Sequence, residues 1–275
     1  MTIALARALT ARGLRVDVLS RGYGRRGNAA VRVNPGGVAE HFGDEPLLIV
    51  REAGVPVYVA AQRYEAGLLA EAESGDAPVI HLLDDGFQHR QLHRDVNLLL
   101  LDEDDLLAER LLPAGTLRER PAAVRRADVI AIPAGDRAIP FERNLCSRGW
   151  QGPVWRVHRR IETSLCSGPV AAFCGIARPG QFFAGLEAVG LRLAARTVFP
   201  DHHRYTPRDL DRVLAAARAA GADAVVTTEK DRVRLGQLSA CFAESIPLHT
   251  AKLRVEIEDE ASAMEWIEER IIAQP

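Results

Sequence analysis

Lysine is almost missing from this chain: of 35 basic residues only Lys230 and Lys252 are lysines, and the first 229 positions hold none. Arginine must therefore supply the cations of any anion-binding site there. Long apolar runs are missing too. None approaches the ~20 residues a membrane helix needs, and no signal peptide opens the chain. The cysteines Cys146, Cys166, Cys174 and Cys241 include no C-x-x-C pair. They are expected as reduced, mostly buried thiols, neither metal ligands nor disulfides. A net charge of −2 leaves no global basic field, which argues against a nucleic-acid partner.

What remains is an ordinary core-forming composition, 47% hydrophobic and 26% charged over 275 residues, enough for one large domain or two modest ones. The apolar stripe Ile3, Leu5, Ala8, Leu9 predicts a helix over 2–13 with Gly13 as its stop. Strands are expected at 15–19, 79–83, 96–101, 128–132 and 154–157, with helices around 46–53, 60–73 and 118–126. That alternation points to a doubly wound parallel sheet. A second α/β unit is read from Pro169 onward: a strand at 170–174, a helix at 179–189, strands at 191–198 and 224–227, and a final helix carrying Met264, Ile267 and Ile271. The clearest helix starts at Pro207, with Thr206 as N-cap, Asp209 completing a capping box, and Gly221 as its end. The domains are thus expected at 1–157 and 169–275, with 158–168 as linker.

The stretch most able to do chemistry is Asp84-Asp85-Gly86-Phe87-Gln88-His89, which closes the apolar run Val79–Leu83. Ligands of α/β sheets collect beyond the carboxyl ends of parallel strands, and adjacent acids there suit a hydrated Mg²⁺ bridging nucleotide phosphates. Gly43-Asp44-Glu45-Pro46 sets two carboxylates at a turn that opens a helix, either as caps or as a base for a hydroxyl proton. Asp201-His202-His203 is a polar loop cluster able to tune a carboxylate or relay a proton, without the spacing of a zinc helix. Ser20-Arg21-Gly22-Tyr23-Gly24-Arg25-Arg26 is a basic glycine loop whose arginines can fork onto phosphate. Thr227-Thr228-Glu229-Lys230-Asp231 reads equally as a phosphate or sugar contact and as a salt-bridged strand end.

In this order the segments SRGYGRR (20–26), GDEP (43–46), DDGFQHRQLHRD (84–95), LPAGTLRE (112–119), FCGIARPGQFF (173–183), FPDHHRY (199–205) and TTEKDRVRL (227–235) resemble the tetraacyldisaccharide 4′-kinases. The resemblance implies a P-loop-type α/β fold with a second, smaller α/β domain. It implies transfer of the ATP γ-phosphate to the 4′-hydroxyl of a tetraacylated glucosamine disaccharide 1-phosphate. On that resemblance Asp44 is the base, assisted by His202 or His203, and Arg118 supports transition-state charge. Asp84 and Asp85 hold Mg²⁺ and order ATP, with Gln88 and His89 shaping the same site. Arg21, Tyr23 and Glu45 meet the acylated lipid substrate. The place of work implied is the cytoplasmic face of the inner membrane, bound peripherally through an apolar patch near Tyr23.

One departure stands out. The family's G-x-x-x-x-G-K-[ST] loop, expected directly before the helix at Thr2, occurs nowhere in these residues. Because phosphoryl transfer depends on such a cradle, the chain as written is expected to be inactive, its reading frame called too short at Met1. Two other readings follow from the same residues. One is a non-catalytic binder of acylated sugar phosphate. The other is a metal-dependent phosphoester hydrolase built on Asp84, Asp85 and the histidine pair.

Overall fold

A computed structural model describes residues 1–102, 111, 112, 114, 115, 117–164, 167–243 and 245–272. Pro113 and Thr116 of the LPAGTLRE segment, and Cys166, lie outside them. Among the described residues, eleven strands fall into two sheets. The first, ordered β2-β3-β1-β4, uses β1 (Val16–Ser20), β2 (Val31–Arg32), β3 (Val57–Val59) and β4 (Ile80–Leu83). The second is ordered β5-β6-β7-β11-β10-β8-β9. Its strands are β5 (Leu98–Leu100), β6 (Val129–Pro133), β7 (Val154–Glu162), β8 (Val170–Cys174), β9 (Leu193–Val198), β10 (Ala224–Thr228) and β11 (Leu248–Ile257).

Pairing is parallel except at β2/β3 and β7/β11. Strands β1, β8 and β10 are buried at every position, as expected of parallel strands covered on both faces. Helix Thr2–Ala11 lays Leu5 and Leu9 against the first sheet, and the core formed there includes Val18, Leu47 and Val57. The same core continues into Val129, Trp155, Val157, Met264 and Ile267, so apolar packing runs from one sheet into the other. Helix Pro207–Ala219 begins as its sequence predicts: the Thr206 N–H and hydroxyl both donate to Asp209 Oδ2, at 2.8 and 2.7 Å.

Several expectations need correction. Residues 158–162, read as linker, are the second half of β7, where Ile161 and Arg160 pair with Leu253 and Arg254 of β11. The hydrogen-bonded ladder therefore runs unbroken from β5 to β9. Strand propensity is weak in this polar stretch, and the long-range partner supplies the pairing. The helix expected at 118–126 is a 3₁₀ segment, Pro121–Arg126. Cys146 and Cys241 are free and exposed, while Cys174 is free and buried, with burial pushing its thiol up to about 12. Strands β3 and β11 and the helix Ala138–Ser147 were not legible from periodicity.

Candidate active site

The functional segments leave the sheets at strand carboxyl ends. β1 and β4 are parallel neighbours with Leu19 beside Leu83, so Arg21 and Asp84 emerge side by side. In the second sheet Phe173 of β8 lies beside Thr227 of β10, and Cys174 beside Val198 of β9. Gly175, the 199–205 loop and the helix Glu229–Leu235 therefore also emerge together. These two sets of ends meet at Asp44.

Asp44 is the first residue of helix Asp44–Ala53 and is buried, 6% exposed. Its Oδ1 accepts the Glu45 N–H at 3.0 Å. Oδ2 accepts Arg234 Nε at 2.6 Å, forms an ion pair with Arg234 Nη2, and lies 3.3 Å from His202 Nδ1. Burial works to raise this carboxyl, but Arg234, with His202 and Lys230, outweighs it and leaves the group below its ordinary value. His202 Nδ1 is also 3.3 Å from Arg234 Nη2. A proton on Nδ1 is donated to Asp44; without it, Nδ1 accepts from Arg234. His202 has φ +56°, a left-handed conformation that histidine tolerates better than most residues.

His203 is turned elsewhere. Its ring stacks on Phe199 at 4.8 Å, and its Nε2 sits 3.2 Å from Asp209 in the cap of helix Pro207–Ala219. Only His202 of the two contacts Asp44.

The turn that presents Asp44 depends on glycine. Gly43 adopts φ 90°, ψ 154°, a region open essentially to glycine alone. A Cβ there would stand 3.1 Å from Gly22 Cα and 3.2 Å from Pro46 Cδ. The SRGYG loop is thereby pressed against the Asp44 turn, and Tyr23, 65% exposed, brings its ring within 5.3 Å of His202. Gly43→Ala is expected to destabilise the fold by about 1–3 kcal/mol and to displace the Tyr23 loop. Chemical denaturation together with Tyr23 amide shifts checks it; an unchanged midpoint would remove the argument for a backbone contact.

Asp84 and Asp85 divide in character. Asp84 accepts the hydroxyls of Thr2 at 3.0 Å and Ser20 at 3.2 Å. Burial, then the Glu45 carboxylate, push it above its ordinary value. Asp85, with φ 48°, lies at the surface and takes Arg118 Nη1 on both oxygens at 2.8 and 2.6 Å. Among the described residues no cluster of three or more His, Cys, Asp or Glu side chains is placed to hold a metal. Mg²⁺ does not need one, since it keeps several waters and takes one or two carboxylates. The hard oxygens of Asp84, Ser20 and Thr2 fit such an ion. Gln88 and Glu119 line one cavity. His89 Nε2 and Arg63 Nε are both buried without a hydrogen-bond partner, and burial, followed by Arg63 and Arg94, holds the His89 imidazole below its ordinary value. Arg21 is exposed, and Glu45 pairs with Lys230.

Sequence reasoning missed Arg234 and Arg63, and named Asp231 only as part of the segment 227–231. The signal for the first lay in TTEKDRVRL, where Lys230 and Arg234 stand four apart on one helix face. Of the two readings offered for that segment, the described contacts match the salt-bridged strand end.

A family model described as tetraacyldisaccharide-1-P 4′-kinase matches residues 1–272. The tetraacyldisaccharide 4′-kinase of Koribacter versatilis (strain Ellin345) is 40% identical over 280 residues, covering 97% of this chain and 82% of that protein. The corresponding protein of Geobacter metallireducens is 40% identical over 251 residues, covering 86% and 74%. Among solved structures, LpxK from Aquifex aeolicus in complex with ATP superposes with a TM-score of 0.73 at 30% identity, over 98% of this chain and 84% of that one. With an α/β fold of the same kind and a family match over nearly its whole length, this chain belongs to the tetraacyldisaccharide-1-P 4′-kinase family.

Proposed function

We propose that this protein transfers the γ-phosphate of ATP to the 4′-hydroxyl of a tetraacylated glucosamine disaccharide 1-phosphate. The observation that carries the reading is the contact of Asp44 with His202 at 3.3 Å, a carboxylate–imidazole pair open to solvent on the histidine side and flanked by Tyr23. Such a pair takes the hydroxyl proton as the oxygen attacks phosphorus. Asp84, with the Ser20 and Thr2 hydroxyls, would hold Mg²⁺, which when bound neutralises phosphate charge. Arg118 leaves Asp85 to face the transferring phosphoryl group. Gln88 and His89 border the nucleotide, while Arg21, Tyr23 and Glu45 meet the sugar and its phosphate. In this reading residues 1–157 carry the nucleotide and 169–275 form the smaller unit, with the reaction at their junction.

The acyl chains of such a substrate place the work at the cytoplasmic face of the inner membrane. Tyr23 and Val38, both exposed, with Arg25 and Arg26, give that face an apolar and basic edge. No helix among the described residues is long and apolar enough to cross a membrane.

The test follows transfer by the protein as its gene encodes it, in detergent micelles with Mg·ATP and the acylated disaccharide. Phosphate is expected at the 4′ position. If the folded protein transfers no phosphate, the kinase reading fails, and retained binding of the acyl sugar phosphate would then favour a binding role.

A further inference from the structure

We propose that Arg234 is a positioning residue for Asp44, fixed in place by the buried Asp231, and that it sets both the direction and the ionised state of the carboxylate. The proposal rests on the assignment of Asp44 to the reaction given above.

Every nitrogen of the guanidinium is committed. Nε and Nη2 engage Asp44 Oδ2; Nη1 donates to the Gly175 carbonyl at 2.5 Å and to Asp231 Oδ1 at 3.1 Å; Nη2 also lies 3.3 Å from His202 Nδ1. The Arg234 side chain is 6% exposed and Asp231 is 0% exposed. Asp231 in turn has no freedom to move. Its oxygens accept the Gly175 N–H at 3.1 Å each, the Tyr205 hydroxyl at 2.8 Å and the Thr228 hydroxyl at 2.6 Å. Gly175 directly follows β8 and Thr228 ends β10, two fully buried strands. Strand ends thus hold Asp231, Asp231 holds the planar arginine fork, and the fork holds Asp44. A lysine cannot reproduce this geometry, because its ammonium is a point charge on a flexible stem.

The neighbouring contact repeats the design one residue along. Lys230, one turn before Arg234, pairs with Glu45, so a single helix face grips both acids of the GDEP turn. The charged groups facing Asp44 are therefore Arg234 and Lys230 from helix Glu229–Leu235, His202 from the loop after β9, and Glu45 beside it.

The experiment follows the Asp44 side-chain carboxyl by ¹³C NMR between pH 3 and 8 in wild type, R234Q and R234K, with D44N giving the assignment. R234Q is expected to raise the titration midpoint by about 1–3 pH units, the range for withdrawing an adjacent opposite charge. R234K keeps the charge and serves if R234Q does not fold. It should hold the midpoint near the wild-type value, yet lower kcat about 10²-fold through misplacement with little change in KM, measured in the transfer assay above. A merely structural role would move neither the midpoint nor that split. An Asp44 midpoint unmoved in R234Q, or full kcat in R234K, overturns the proposal. A midpoint that moves while D44N retains full transfer faults instead the assignment of Asp44 to the reaction, and leaves Arg234's hold on it standing.

Discussion

Asp231→Ala is expected to cost about 3–5 kcal/mol of stability, the penalty for stripping one partner from a buried ion pair. Four groups lose their acceptor at once: the Gly175 N–H, the hydroxyls of Tyr205 and Thr228, and Nη1 of Arg234. All of them sit where water cannot substitute, since Asp231 is 0% exposed. Against a whole-domain stability of about 5–15 kcal/mol, that loss is large enough to shift a urea midpoint severely. Asp85→Ala makes the control. Its pair with Arg118 is as close, 2.6 Å, but the two side chains are 61% and 58% exposed, and an exposed pair is worth about 0–1 kcal/mol. Parallel urea titrations followed by circular dichroism check both. Equal effects from the two variants would mean that burial around Asp231 is not what makes its contacts matter.

The ionic contacts between the two halves of the chain concentrate on one helix. Both of the chain's lysines reach it, Lys230 at Glu45 and Lys252 at Glu52. Arg234 joins at Asp44, while Arg254 joins Lys252 at Glu52. The two chain segments on either side of the site are therefore tied at both ends of Asp44–Ala53. Scarcity of lysine has a meaning here that composition alone could not supply.

Much of this was legible in the sequence, and the reasons differ by element. Val170–Cys174 is apolar throughout and was read as a strand at its full length. Helix Pro207–Ala219 announced itself through Thr206, Pro207 and Asp209, because capping chemistry is local. The acids after Val79–Leu83 could be placed at a strand end for the same reason. β11, by contrast, has the sequence LHTAKLRVEI: its polar half is strand only because β7 offers an antiparallel edge, and the two segments are separated by about a hundred residues of unrelated local signal. Arg234 was one arginine among many until its carboxylate partner, 190 residues away in sequence, was seen. The choice between His202 and His203 rested on one backbone torsion, the +56° φ of His202, which turns adjacent side chains to opposite tasks and leaves no mark in the residue types.

That torsion leads to the sharpest functional expectation. His202→Asn and His203→Asn differ by one position, yet only the first should impair transfer. His202 touches the Asp44 oxygen at 3.3 Å, so its loss removes one half of the proposed proton-accepting pair, a contribution of about 10²–10⁴-fold in kcat. Asp44→Asn should cost as much, and the double variant little more than either single one, because residues acting as a unit are not additive. His203 stacks on Phe199 and meets Asp209 within a helix cap. Its replacement should lower stability by about 1 kcal/mol, the scale of a weakened cap, and leave kcat within a factor of about two to three, a difference of only a few tenths of a kcal/mol in barrier. Steady-state transfer by all four proteins, beside thermal unfolding of each, separates the two effects. If His203→Asn abolished transfer and His202→Asn did not, the Asp44–His202 contact would be incidental, and the proton would have to leave by way of the Asp209 cap.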